Sequence, residues 1–67
     1  MPLSARNQML GKVTNIKNGT ITAQVELEIG GQKLTSIISK DSVEEMLLKE
    51  GDTVKAVIKA TSVMVMK

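Results

Sequence analysis

The strict alternation of apolar and polar side chains in "TITAQVELEI", residues 20–29, constrains the fold of this chain more than any other feature. Every second residue is aliphatic, and the residues between them are threonine, glutamine or glutamate. A period of two is typical of a β-strand with one face buried and the other in water. The segment therefore predicts a half-buried strand whose inner face carries Ile21, Ala23, Val25, Leu27 and Ile29.

Glycine-containing turns flank this strand on both sides. Asn18-Gly19 precedes it and predicts a tight hairpin, because both residues tolerate positive φ. The partner strand would be "QMLGKVTNI", residues 8–16, in which Gly11 predicts a bulge or a sharp bend. Gly30-Gly31 predicts a second tight turn that leads into a third strand, "QKLTSII", residues 32–38.

The periodicity changes in "SKDSVEEMLLKEG", residues 39–51. Val43, Met46 and Leu47 follow helical spacing, and Gly51 is a suitable residue to end a helix. The segment predicts one short helix after the third strand.

Two residues compete to cap the start of this helix. Asp41 as N-cap forms a capping box with Glu44, whereas Ser39 as N-cap permits a hydrophobic staple between Ile38 and Val43. We favour Ser39, and the helix is short with either cap.

Two more apolar strands follow, "TVKAVIKA" over residues 53–60 and "TSVMVMK" over residues 61–67. The expected fold is thus all-β with one short helix: a five-stranded OB-like Greek-key barrel with the helix between strands 3 and 4. Residues 1–67 form a single domain without a linker. Both final strands carry apolar side chains on both faces, which is typical of a strand that is central or covered by another subunit.

Composition narrows the ways in which so small a chain can be stabilised. Its 67 residues include no Cys, His, Phe, Tyr or Trp. Disulfides and the common zinc and iron–sulfur sites are therefore excluded, and oligomerisation remains as the usual support for a thin core. No Ser–His or Cys–His pair can form, so we do not expect an enzyme.

The charge pattern gives little support to nucleic acid or membrane as a partner. The formal net charge is +2, with acidic and basic residues interspersed. Single-strand binding uses aromatic platforms for base stacking, and this chain has none. "MPLSARN" lacks the features of a signal peptide, and no apolar run reaches the roughly 20 residues of a membrane span. We expect a soluble cytoplasmic protein.

Hydrogen-bond donors gather in three stretches of the sequence. Each donor alone has an ordinary explanation: Ser39 as a helix cap, Lys59 as a surface lysine, Arg6 as half of a surface ion pair. Together they suit a compact oxyanion bound by charge-assisted hydrogen bonds, and they provide no ligand set for a metal ion. The candidates are Ser4, Arg6 and Asn7, then Ser39 and Ser42, and finally Lys59, Thr61 and Ser62.

Three motifs in order, "SARNQ", "TSIIS-x-x-S" and "IKATSVM", resemble those of the molbindins. These are small molybdate-binding proteins, formerly described as molybdenum-pterin-binding proteins. Their Mop module also occurs in the molybdate-responsive transcription regulator and in molybdate transporter ATPases. The resemblance covers essentially the whole chain. It implies an OB-like barrel, a strand-sharing dimer and a homo-oligomer that is a hexamer, built as a trimer of dimers, with oxyanions bound at subunit interfaces.

The resemblance also implies roles for individual residues. Ser4 and Arg6 would bind the oxyanion, Lys59 would add positive charge and Ala60 a backbone amide. Ser39 and Ser42 match two hydroxyl positions before the helix, although the regulator has threonine at the first. Asn7, Thr61 and Ser62 are further candidates, and Asn7 is better suited to holding the strand entry. No residue can be assigned to a second class of site on the threefold axis.

The implied function is molybdate or tungstate binding for intracellular molybdenum storage or homeostasis. A pterin is usually held by stacking or in an apolar slot, and this chain has no aromatic side chain for stacking. We therefore expect the intact oxyanion as ligand and no organic cofactor. The alternative is a non-enzymatic OB-like module for nucleic-acid binding or for assembly.

Overall fold

The computed structural model describes residues 6–67, which form a four-stranded antiparallel sheet, one α-helix and a short 3₁₀ turn. The strands lie in the order β3-β2-β1-β4, so β4 returns to pair with β1 after the β1-β2-β3 meander. This is the Greek-key order. The elements are β1 (Asn7–Asn18), β2 (Thr22–Ile29), β3 (Gln32–Ser39), α1 (Lys40–Glu45), β4 (Thr53–Ile58) and the 3₁₀ turn (Ala60–Ser62).

The core lies on the inner face of β2, as the alternation predicts. Ala23, Val25 and Leu27 are buried there, and Ile29 is half-buried. Ile21 is the exception: it precedes Thr22, the first residue of the strand, and it is 77% exposed. The other buried apolar side chains come from β1, α1 and β4: Val13, Val43 and Ala56.

The β1–β2 hairpin is confirmed, but its turn lies two residues further along than predicted. Asn18 pairs with Ala23, so the two residues at the tip are Thr20 and Ile21. Among residues 6–67, neither Asn18 nor Gly19 has a positive φ. Gly19 is needed for another reason: the Thr22 carbonyl oxygen would lie 2.8 Å from a Cβ at this position.

The second hairpin turn matches its prediction. Gly30 and Gly31 have φ of 57° and 80°, and two positive values define the type I′ turn that connects twisted antiparallel strands. The turn joins β2 to β3 with Ile29 opposite Gln32.

Gly11 does not form the predicted bulge. The β1–β2 register shifts between Val13 and Asn15, three residues further along the strand. Gly11 is buried, and a Cβ there would lie 2.8 Å from Cγ1 of Ile29. The glycine therefore permits a close approach between β1 and the end of β2.

The helix begins as predicted and ends earlier. Ser39 is the N-cap, so the Asp41 alternative is not used. The helix ends at Glu45, and Leu47 takes a left-handed φ of 52°, which corrects the prediction that Gly51 ends it. Because the chain turns there, Leu48 and not Leu47 packs against the core.

Among residues 6–67, the predicted fifth strand and barrel closure are not found. After β4, residues 60–62 form the 3₁₀ turn, and residues 63–67 belong to no strand. The turn redirects the backbone, and the sheet stays open with β3 and β4 as its edges. Between these edges lies a largely apolar cavity of about 420 Å³, with Leu34 and Ile38 on one side and Val54 and Ile58 on the other.

Among residues 6–67, no helix has the length and apolar content needed to cross a membrane.

Candidate functional site

The first group of candidate residues lies where β1 begins and β4 ends. Asn7 pairs with Ile58 in the antiparallel ladder, and the Asn7 side-chain amide donates to the Ile58 carbonyl at 3.4 Å. Arg6 directly precedes Asn7 and Lys59 directly follows Ile58, so these two exposed residues flank the last pair of the ladder. The β1–β4 pairing therefore puts two cations that are 53 residues apart in the sequence at the same end of the sheet.

The 3₁₀ turn adds backbone donors beside these cations. The Ser62 N–H donates to the Lys59 carbonyl at 2.8 Å, and the Val63 N–H donates to the Ala60 carbonyl at 3.3 Å. These bonds leave the N–H groups of Ala60 and Thr61 unused by the turn. Lys59 occupies the N-cap position without a side-chain capping bond.

We call this set the Arg6–Lys59 group. It joins two of the three donor stretches that the sequence predicts, and it presents guanidinium, ammonium, amide and hydroxyl donors on one exposed end of the sheet. Its members are Arg6, Asn7, Lys59, Ala60, Thr61 and Ser62. Ser4, the remaining candidate in this part of the sequence, lies outside the described residues.

Ser39 and Ser42 form a second group, the serine pair. The Ser39 hydroxyl oxygen accepts from the Ser42 N–H at 3.0 Å, and the Ser39 hydroxyl donates to the Ser42 hydroxyl oxygen at 2.8 Å. Ser39 is thus committed to capping α1. The hydroxyl proton of Ser42 takes part in neither of these two bonds.

The two groups lie at opposite ends of the sheet. Ser39 pairs with Thr22 beside the β1–β2 hairpin, and the Lys40 N–H donates to the Ile21 carbonyl at 2.9 Å. The Arg6–Lys59 group lies at the other end of the 12-residue strand β1. Among the described residues no hydrogen bond joins the two groups. A single chain therefore holds its candidate donors in two separate groups.

The chemistry of both groups suits an anion. Every donor is an N–H, an O–H or a cationic nitrogen, and charge-assisted bonds from such donors to oxyanions are among the stronger hydrogen bonds. In the described part of the chain, no cluster of three or more carboxylate side chains could hold a metal ion.

Sequence reasoning missed the apolar cavity between β3 and β4. Its lining includes Leu34 and Ile38 from β3, both of which are half-buried. The apolar residues of both edge strands are visible in the sequence. The sequence does not give the separation of these two strands in space, so it could not predict a cavity between them.

Comparison with known proteins agrees with this architecture. The profile of the TOBE domain matches residues 3–65. Molybdenum-pterin-binding protein 1 of Clostridium pasteurianum is 61% identical, with 98% of each chain covered. A related protein from Haemophilus influenzae, described as a probable molybdenum-pterin-binding protein, is 50% identical over 97% of this chain and 96% of its own.

Solved structures give the same result. The molybdate-binding protein from Sporomusa ovata superposes with a TM-score of 0.94 at 37% identity, with both chains fully covered. MopII from Clostridium pasteurianum gives 0.91 at 57% identity, covering 98% of this chain and 100% of its own. The chain therefore belongs to the TOBE-domain family and, within it, to the Mop-type molybdenum-pterin-binding proteins, as the three motifs predict.

Proposed function

We propose that this protein binds molybdate as an intact oxyanion. The observation that carries the proposal is the Arg6–Lys59 group, whose two cations come from distant motifs and flank the last pair of the β1–β4 ladder. Full-length relatives named for molybdenum-pterin binding, and a structural neighbour that binds molybdate, support the same ligand.

The proposed binding chemistry follows from the donors. Molybdate and tungstate are tetrahedral dianions whose oxygens accept hydrogen bonds. Arg6 supplies a rigid fork of donors, Lys59 a point charge, and Ala60 a backbone amide. Ser4 and Ser42 would add hydroxyl donors. Burial between subunits would strengthen these bonds relative to water.

We further propose that a complete site forms where subunits meet, because one chain holds its donors at opposite ends of β1. Apolar exposure supports an assembly: Leu10, Ile37 and Leu47 are largely exposed, as is nearly every side chain of residues 63–66. In this proposal the C-terminal residues of a neighbouring chain supply the fifth strand and close the OB-like barrel. The hexamer implied by the motifs is the corresponding assembly.

The biological role follows from this binding chemistry. A small binding module without a catalytic constellation fits storage or homeostasis of molybdenum in the cytoplasm, and it is not an enzyme. One neighbour, which matches over 90% of this chain and 43% of its own, is a cytoplasmic molybdate-binding protein.

Isothermal titration calorimetry tests the ligand and its residues. We expect molybdate to release heat with the unmodified protein, sulfate to release little, and Arg6→Ala or Lys59→Ala to abolish the molybdate signal. Lys33→Ala is the matched control, since Lys33 is an exposed lysine outside both groups. Equal heats for sulfate and molybdate, or unchanged binding by both alanine variants, would contradict the proposal.

Native mass spectrometry with and without molybdate tests the shared site. An oligomer that retains bound molybdate is expected, whereas a single chain with bound molybdate would overturn the interface site.

A gel shift with single-stranded oligonucleotides at physiological salt is expected to be negative, and binding there would favour the nucleic-acid alternative.

A further inference from the structure

The sequence predicts that Asn18-Gly19 forms the tip of the β1–β2 hairpin, but in the structure this dipeptide is not at the tip. The hairpin tip lies at Thr20 and Ile21, so this dipeptide stands at the end of β1 with both residues exposed. Among residues 6–67 neither takes the positive φ for which Asn-Gly is usually selected in hairpins. The dipeptide remains chemically distinctive, because an asparagine followed by glycine is open to attack by its own backbone.

We propose that Asn18 is a site of spontaneous deamidation in this protein. The Gly19 backbone nitrogen gives its proton to solvent base and attacks Cγ of Asn18. An N–Cγ bond forms, the Cγ–Nδ2 bond breaks, and ammonia leaves. Water then opens the resulting succinimide to aspartate or isoaspartate, so the net change is gain of water and loss of ammonia.

Glycine makes this step accessible, since no side chain on residue 19 crowds the approach of its nitrogen. The hairpin restrains it: the Gly19 N–H donates to the Thr22 carbonyl at 2.8 Å. Reaction requires that this bond open, and such terminal ladder bonds open at a small cost in free energy. The rate at Asn18 therefore reports local opening of the hairpin.

The chain contains two other asparagines, with which the rate of deamidation at Asn18 can be compared. Asn15 lies within β1, its side-chain amide donates to a Glu26 carboxylate oxygen at 3.1 Å, and the β-branched Ile16 follows it. Asn7 donates its side-chain amide to the Ile58 carbonyl and is followed by glutamine. Neither combines an exposed amide with a following glycine, so both are expected to persist.

A negative charge at Asn18 would lie close to the serine pair. Asn18 precedes Gly19, which bonds to Thr22, and Thr22 pairs directly with Ser39. If the serine pair binds an oxyanion, which rests on the proposed function, the new carboxylate would repel that ligand, and salt would weaken the repulsion. Deamidation would then lower the affinity for molybdate as the protein ages.

Incubation of the folded protein in mildly alkaline buffer tests the modification. Digestion with an acid-active protease, which avoids new reaction during digestion, is followed by mass mapping of all three asparagines against an unincubated sample. We expect Asn18 to convert at least about tenfold faster than Asn15, and faster still in urea too dilute to unfold the protein. Conversion at equal rates at Asn15 and Asn18, or none at Asn18, would overturn the proposal.

The effect on the ligand is measured separately with Asn18→Asp and the neutral control Asn18→Ser. We expect molybdate affinity to fall about threefold for the aspartate variant relative to the serine variant. Equal affinities would overturn the charge effect and leave the mapping result standing. Failure of the unmodified protein to bind molybdate would refute the proposed function, and it would not change the rate at Asn18.

Discussion

Strand β2 and the C-terminal segment, residues 63–67, are both rich in aliphatic side chains, and both are predicted as strands, yet their environments differ completely. In β2 the inner side chains Ala23, Val25 and Leu27 are buried between β1 and β3. In the C-terminal segment Met64 and Met66 are 93% and 96% exposed, and no strand forms. An apolar sequence becomes a strand only where a neighbouring strand is available to pair with it.

The two regions also differ in pattern. β2 alternates, so its polar face can stay in water while the other face is buried within the chain. The segment "VMVM" has no polar face, and the described part of the chain, with six buried core residues, offers no second layer to cover it. The difference therefore predicts that β2 stabilises the fold of the single chain, whereas the C-terminal segment stabilises the association between chains.

Removal of residues 63–67 is expected to produce the largest effect. Assembly should be lost, and native mass should fall to that of a single chain, because these exposed apolar residues would no longer pair with another subunit. The far-ultraviolet circular dichroism of the sheet should persist. Removal of Lys67 alone is the control, and an unchanged native mass after the longer deletion would break the comparison.

Leu27→Ala is expected to cost about 2–5 kcal/mol of unfolding free energy, since it opens a cavity in the core beside Val13 and Val25. Urea unfolding at a fixed protein concentration measures this loss. Ile21→Ala removes an apolar residue of the same alternating segment outside the strand, and should change the free energy by less than about 0.5 kcal/mol. Similar losses for both would show that burial in β2 is not what separates them.

Gly11→Ala tests how closely β1 packs on the end of β2. The added Cβ would lie 2.8 Å from Cγ1 of Ile29, and we expect a loss of about 1–3 kcal/mol from overpacking. The same substitution in an Ile29→Ala background should cost less, because the opposing side chain is gone. Equal costs in a double-mutant cycle would refute the steric explanation.

Ser39→Ala is expected to have a smaller effect on the free energy of unfolding, a loss of about 1 kcal/mol, because it removes the cap of α1. Asp41→Ala is the matched control and should change stability little, since Asp41 lies inside the helix and is not its cap. Thermal unfolding measures both.

Lys59→Ala is expected to have the smallest effect on stability of the substitutions compared, because Lys59 lies outside both β2 and the C-terminal segment. Lys59 makes no side-chain capping bond, so its replacement should leave the melting temperature nearly unchanged while removing molybdate binding. A large fall in melting temperature would assign Lys59 a structural role instead.

Much of the fold could be predicted because local rules determine it. The alternation in β2, the Gly30-Gly31 turn and the Ser39 cap each depend on residues within a few positions of one another. The predictions were wrong where the position of a glycine in the sequence was the only basis for placing a turn or a bulge. Asn18-Gly19 predicts a turn at its own position, but the register that buries Val25 opposite Ile16 places the tip two residues later. Gly11 suggests a bulge, whereas its real constraint is the side chain of Ile29, which only pairing brings near.

For the site, the sequence by itself determined the donor types: the three donor stretches carry hydroxyl, amide and cationic groups, and the chain has no cysteine, histidine or aromatic residue. The tertiary structure decided which donors share an end of the sheet. The β1–β4 ladder puts Arg6 and Lys59 at one end, and the β2–β3 ladder keeps Ser39 at the other end of β1. The physical reason is that a side chain's chemistry is local, whereas its neighbours depend on backbone pairing between residues far apart in the sequence.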